Sequence, residues 1–173
     1  MAKKSDPRPG TLRVDITPEN PRYWRPNVAC DIVLLSLDSK DKLHVLLIKR
    51  GKEPYENHWA LPGGFLDEKD QSLDAGALRE LQEETGVCGV KLRQFWSVGN
   101  PYRDPRGYSV SICYLGMVYG VDFNDAKGMD DAKDAKWFKL SNLPLLAFDH
   151  ADVIDKAKKT LYEWTNGRVG KFI

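Results

Sequence analysis

The sequence predicts an α/β fold in which sheets are covered by helices, and three observations predict it. Runs rich in Val, Ile and Leu recur between residues 28 and 140. A stretch with helical spacing at 72–85 interrupts them, and a second at 153–164 follows them. The chain has 173 residues, 42% hydrophobic and 29% charged, which suits one globular domain with a proper core.

Residues 1–27 carry Pro7, Pro9, Pro18, Pro21 and Pro26 among polar residues, a composition that opposes helix and leaves little to bury. They are read as an N-terminal arm, and 28–173 as a single domain. Within the arm, Tyr23-Trp24-Arg25-Pro26 either packs on the body or a second subunit, or forms a loose tail. Val28 to Leu37 and Leu43 to Lys49 read as two strands of a hairpin, with Asp38-Ser39-Lys40-Asp41 as the turn. Trp59 to Leu61 is a short extended piece that Pro62-Gly63-Gly64 should stop. A helix follows to Thr85, with Ser72 as N-cap and Gly86 as the glycine that ends it. Leu92 to Val98, Tyr108 to Val118 and Ala135 to Leu140 are further strands. Asp122 to Asp134 reads as an acidic loop, and Val153, Ala157, Leu161 and Trp164 mark the last helix.

Composition excludes several classes. Lys plus Arg number 26 against 25 Asp plus Glu, so no broad surface field for nucleic acid or membrane is expected. Cys30, Cys88 and Cys113 lack metal spacing or a Cys-His signature, and they read as inert thiols in a reducing compartment. The start Met-Ala-Lys-Lys-Ser-Asp-Pro has no apolar core of a signal peptide, and no apolar run approaches membrane-spanning length. A cytoplasmic protein is expected.

The chemistry concentrates in the first helix. Glu80, Glu83 and Glu84 stand at i, i+3 and i+4, which puts three carboxylates on one helical face. Like charges so placed repel unless something positive sits among them, and hard oxygen donors suit magnesium or manganese. The alternative is a solvated acidic face. Leu73, Ala77 and Leu81 form the adjoining apolar stripe that would hold the carboxylates still. Arg79 can pair with Glu83 or reach back to an acid in the preceding loop. Gly63 and Gly64 let the backbone turn tightly and approach a metal or phosphate.

The string Arg79-Glu80-Leu81-Gln82-Glu83-Glu84-Thr85-Gly86-Val87, preceded by Leu61-Pro62-Gly63-Gly64-Phe65, resembles the Nudix box in residue identity and spacing. The resemblance implies a Nudix-type α/β/α sandwich with a mixed sheet, in which a loop-helix-loop holds metal beneath a phosphate-bearing substrate. It maps Glu80, Glu83 and Glu84 onto the family's metal-binding and catalytic acids, and the Gly63 carbonyl onto a backbone ligand. Arg79 becomes the residue that orients them. One departure stands out: Gln71 occupies the place where the family has a glutamate ahead of the box arginine, and the loop is one residue longer. Either Asp70 or Glu68 supplies the missing charge for Arg79, or the orienting contact to Arg79 is absent.

Gly99-Asn100-Pro101-Tyr102-Arg103-Asp104-Pro105-Arg106-Gly107-Tyr108 resembles a signature of the ADP-ribose pyrophosphatase branch, as does Leu145-Leu146-Ala147-Phe148-Asp149-His150-Ala151. Asn100 stands where that branch has Asp. Gly64, Phe65, Tyr102, Arg103 and Arg106 are the expected substrate contacts. The guanidinium forks suit phosphate and the aromatic rings suit a base or ribose. The competing readings are a turn tied by Arg-Asp pairs for the arginines and core packing for Phe65 and Trp59. His44, His58 and His150 read as structural or exposed. A clustered glutamate or a loop acid takes the proton of the attacking water, with Asp130 and Asp131 as loop candidates or solvated charges.

The expectation is therefore a magnesium- or manganese-dependent homodimer that hydrolyses ADP-ribose to AMP and ribose 5-phosphate, with neither nucleic acid nor membrane as partner. Other nucleotide sugars, dinucleoside polyphosphates or damaged nucleoside triphosphates are the alternative substrates. A sensing module is the third reading, because the same branch resembles repressors of NAD metabolism that carry a winged helix. The end of the chain at Ile173, soon after the last helix, is taken to leave no room for one.

Overall fold

The computed structural model describes residues 25–121 and 132–168. The elements in chain order are β1 (Asn27–Leu37), β2 (Leu43–Arg50), β3 (Trp59–Ala60), β4 (Gly63–Phe65), α1 (Leu73–Thr85), β5 (Leu92–Val98), β6 (Ser109–Val118), β7 (Ala132–Lys139) and α2 (His150–Trp164). The seven strands form one sheet. It is mixed: β1 runs parallel to β6 from Asn27↔Ser109 to Ser36↔Val118, and the other pairings are antiparallel.

Strand alternation sends successive β1 side chains to opposite faces. Cys30, Ile32 and Leu34 join Ala77 and Leu81 of α1 in one core, while Val33 and Leu35 join Val153, Ile154, Ala157 and Leu161 of α2 in the other. Two helices on two faces make the expected α/β/α sandwich. Because both faces are covered, β1 is apolar almost throughout and needs no polar alternation.

Local chemistry sets the boundaries. Asp38 Oδ1 accepts the N–H groups of Lys40 and Lys42 at 2.8 Å, closing the β1–β2 turn. Ser72 Oγ accepts the Ala75 N–H at 3.1 Å, and Gly86 ends α1 at φ 71° with its N–H on the Gln82 carbonyl. Asp149 sits at the N-cap of α2 without a side-chain bond to the helix. Cys30 and Cys113 are buried and Cys88 is exposed, all as free thiols; burial pushes the Cys30 thiol up to about 12. Among the described residues no helix is long and apolar enough to cross a membrane.

Two expectations need correcting. Pro62-Gly63-Gly64 does not end extended structure, because Gly63 and Gly64 open β4 and pair with Asp31 and Cys30 of β1. The acidic loop expected over 122–134 gives way to β7 at Ala132; residues 122–131, Asp130 and Asp131 among them, lie outside the described residues, as does most of the arm.

These short strands position the site. The β1–β2 ladder runs from Leu37↔Leu43 to Leu35↔Val45. Beyond it, β3 pairs with β2 at Lys49↔Trp59, and β4 pairs with the opening residues of β1. The sheet forks there, the Leu61-Pro62 link crosses the fork, and Pro62 O accepts the Ile32 N–H at 2.9 Å.

Candidate active site

A cavity of about 300 Å³ opens at this fork. Its wall takes residues from β1 and β2, the turn into β4 at Gly63-Gly64-Phe65, Glu80 and Glu84 of α1, the loop before β6, and Phe148 and His150 around the start of α2.

The glycine turn and α1 lock together closely. Glu84 Oε2 accepts the Gly63 N–H at 2.8 Å. A Cβ on Gly63, where φ is 149°, would stand 2.0 Å from the Cys30 carbonyl oxygen, so this position requires glycine. A Cβ on Gly64 would meet the Glu80 carboxylate at 2.7 Å. The glycines thus let backbone and two acids share one small volume.

Arg79 organises the rest. Its Nε and Nη2 donate to the two oxygens of Asp70 at 2.9 Å each, a bidentate pair. Nη1 donates to Glu80 at 2.8 Å and Glu83 at 2.9 Å, and Nη2 reaches the Phe65 carbonyl at 3.2 Å. Asp70 therefore supplies the loop charge that Gln71 lacks, and its pairing with Arg79 holds its carboxyl down at about 2. The loop packs closely on Gly76 of α1, where a Cβ would strike Leu66 at 2.5 Å and Asp70 at 2.8 Å. Burial pushes the Glu80 carboxyl above its ordinary range, against the pull of Arg79.

Of the expected acids, Glu80 and Glu84 line the cavity together with Gly63 and Gly64. Glu83 lies on the adjoining exposed surface, turned to Arg79, and is absent from the wall. Among the described residues no three acidic, histidine or cysteine side chains converge closely enough to hold an ion as they stand. The donors nonetheless fit a hard divalent cation: two carboxylates press on a glycine turn with space for nothing larger than hydrogen at its Cα atoms.

Phe65 and Arg106 both line the cavity, stacked on one another. The Arg106 guanidinium stands 4.8 Å from the Phe65 centroid and 5.8 Å from that of Phe148. Asp104 grips it from below, at 2.8 Å from Nη2. Arg106 is thus both tied in an Arg-Asp turn and presented at the wall.

Tyr102, at a positive φ of 67°, is 94% exposed and does not line the cavity. Arg103 lines the cavity but is buried between Asp31 and Asp149.

Sequence reasoning assigned none of four further residues to the site, although two of them, Phe148 and His150, lie in the Leu145–Ala151 string. Arg50, at the end of β2, lies 4.9 Å from the Phe148 centroid and donates to the Pro54 carbonyl at 2.7 Å. Phe148 is held by Tyr55, centroid to centroid at 4.7 Å. Asp31 is a buried acid in an apolar strand, a polar interruption that could have flagged it. His150 Nδ1 accepts the Leu61 N–H at 2.8 Å, so this histidine is structural, as read, yet it anchors the turn.

A glycine turn clasped by an acidic helix, inside an α/β/α sandwich and beside stacked guanidinium and aromatic groups, defines a protein built to handle phosphate-bearing ligands. Residues 26–159 match the NUDIX domain family. The chain is 40% identical over 146 residues to the ADP-ribose pyrophosphatase of Methanocaldococcus jannaschii, across 84% of this chain and 78% of that one. It is 39% identical over 138 residues to the ADPR responsive transcriptional repressor NtrR of Acinetobacter baylyi. That match covers 78% of this chain and 54% of the repressor, so the chain spans about half the repressor's length. Among solved structures, the NUDIX domain of Shewanella oneidensis NrtR complexed with ADP ribose superposes with a TM-score of 0.75 at 34% identity, covering 85% of this chain and 94% of that one. The chain belongs to the Nudix family.

Proposed function

We propose that the chain is a divalent-metal-dependent hydrolase that splits the diphosphate of ADP-ribose into AMP and ribose 5-phosphate. The observation that carries the reading is the make-up of one cavity wall: Glu80, Glu84 and the Gly63 turn beside Arg106, Phe65 and Phe148. Carboxylates suit a metal, a guanidinium suits phosphate, and aromatic rings suit a base. The pyrophosphatase relative and the structural neighbour bound to ADP ribose support the choice of substrate.

Glu80, Glu84 and the Gly63 carbonyl would hold the metal, with Glu83 joining them if it leaves Arg79. A bound divalent ion, magnesium or manganese, supplies charge neutralisation and activates water. Arg79 fixes the acids in place, and Arg106 offers its donors to the diphosphate. The water's proton passes to a clustered glutamate or a loop acid. A homodimer in the cytoplasm, acting on small nucleotides without nucleic acid, completes the reading.

The test is product analysis after incubation with magnesium or manganese and, separately, ADP-ribose, NADH, diadenosine polyphosphates and nucleoside triphosphates. AMP and ribose 5-phosphate forming fastest from ADP-ribose is the expected result. A second reading, ligand sensing, is favoured by the similarity to the repressor. Tight ADP-ribose binding with no turnover of any substrate would select it.

A further inference from the structure

Arg103 carries the second arginine-aspartate constellation of the cavity. Its Nε and Nη2 donate to the Asp149 oxygens at 2.9 and 2.7 Å, and Nη2 also donates to Asp31 Oδ2 at 3.0 Å. Its side chain is 7% exposed. One guanidinium facing two carboxylates leaves the cluster with a net negative charge. Burial and the neighbouring Asp31 push His150 toward opposite charge states, and burial is the larger influence, which leaves it neutral and unable to offset that charge. A phosphate is repelled by such a cluster, so Arg103 is a poor substrate contact despite lining the cavity.

The partners of Arg103 lead elsewhere. Asp31 pairs in register with Gly63, the residue whose N–H binds Glu84. Asp149 stands at the N-cap of α2, yet its carboxylate serves Arg103 instead of the helix. The next residue, His150, accepts the Leu61 N–H, two residues before Gly63. On the other side, Arg103 adjoins Asp104, which grips Arg106. Two routes therefore run from one buried fork to the glycine turn, and a third runs to the wall formed by Arg106.

We propose that Arg103 is a positioning residue, not a substrate contact: with Asp149 and Asp31 it clamps the loop before β6 to the Gly63 turn and sets the distance between the phosphate-facing wall and the acidic helix. Only the kinetic part of this inference rests on the hydrolase reading. A lysine cannot reproduce the clamp, because a point charge lacks the planar fork that engages two acids together.

The experiment compares Arg103→Lys, Asp149→Asn and the double variant, using the best substrate of the wild-type protein, alongside hydrogen exchange of each. Each single variant should lower kcat by about 10²-fold. KM should stay within about threefold. The double variant should be no slower than the worse single, because the two residues act as one unit. Exchange should speed up both at 61–65 and at 103–108 in Asp149→Asn. A raised KM with kcat intact, or losses that multiply in the double variant, would overturn the proposal. So would faster exchange confined to the start of α2. If the wild-type protein cleaves nothing, the hydrolase reading fails while the exchange measurement still decides the clamp.

Discussion

Adjacent glycines at positions 63 and 64 answer to different constraints, and substitution should separate them. The Cβ of Gly63→Ala would collide with backbone, the Cys30 carbonyl, in a conformation that L side chains rarely adopt. That variant should lose at least about 2 kcal/mol of stability, read by denaturant unfolding. Gly64→Ala meets only the movable end of Glu80. It should unfold within about 1 kcal/mol of the wild type yet lose about 10²-fold in hydrolysis, because the carboxylate is displaced from its working position. Near-normal activity in Gly64→Ala would remove Glu80 from the proposed metal site. Asp70 and Gln71 form a second contrast. Asp70→Asn should lower kcat by about tenfold through loss of the bidentate grip on Arg79. Gln71→Glu should change it less than about twofold, since Arg79 is already engaged. At this scale the sequence carried the types of residue well and their partners poorly. Asp70 could be named because it lies near Arg79 in the chain. The partners of Arg103, Asp31 and Asp149, lie far off along the chain, and no local spacing announces them.

The two helices were legible because each carries its own periodicity and α1 its own caps. The strand β4 was not, because two of its three residues are glycine, and it is made a strand by register against β1. The start of α2 carries a pH prediction. Burial holds His150 below its ordinary value of 6.5, with Asp31 pulling the other way. The unfolded chain takes up a proton as pH falls through that value, whereas the folded protein resists it until lower pH. Stability from the neutral His150 is therefore full above about pH 6.5 and is lost on acidification. His150→Asn, which keeps an acceptor for the Leu61 N–H, should lose less stability than the wild type between about pH 7 and about pH 5.5. Equal losses in thermal unfolding would place the acid sensitivity elsewhere.

At the scale of the molecule, apolar runs announced the sandwich, whereas the fork in the sheet that makes the cavity arises from pairings no single segment encodes. The two cores are separate packings on either side of β1, so each helix is stabilised through its own face. Leu81→Ala, in the fully buried stripe of α1, should cost about 2–5 kcal/mol in unfolding free energy. The parallel register of β1 with β6 has a consequence for synthesis. Asn27 meets Ser109 and Ser36 meets Val118, so the central strand leaves the ribosome long before its neighbour exists. Until then the nascent chain presents an almost wholly apolar strand with an unpaired edge, a template for wrong association. Closing so long a loop before the β1–β6 ladder can form also slows folding. Early chain termination within α1 should therefore yield aggregates, and assistance from holding chaperones should matter most in the interval between synthesis of β1 and of β6.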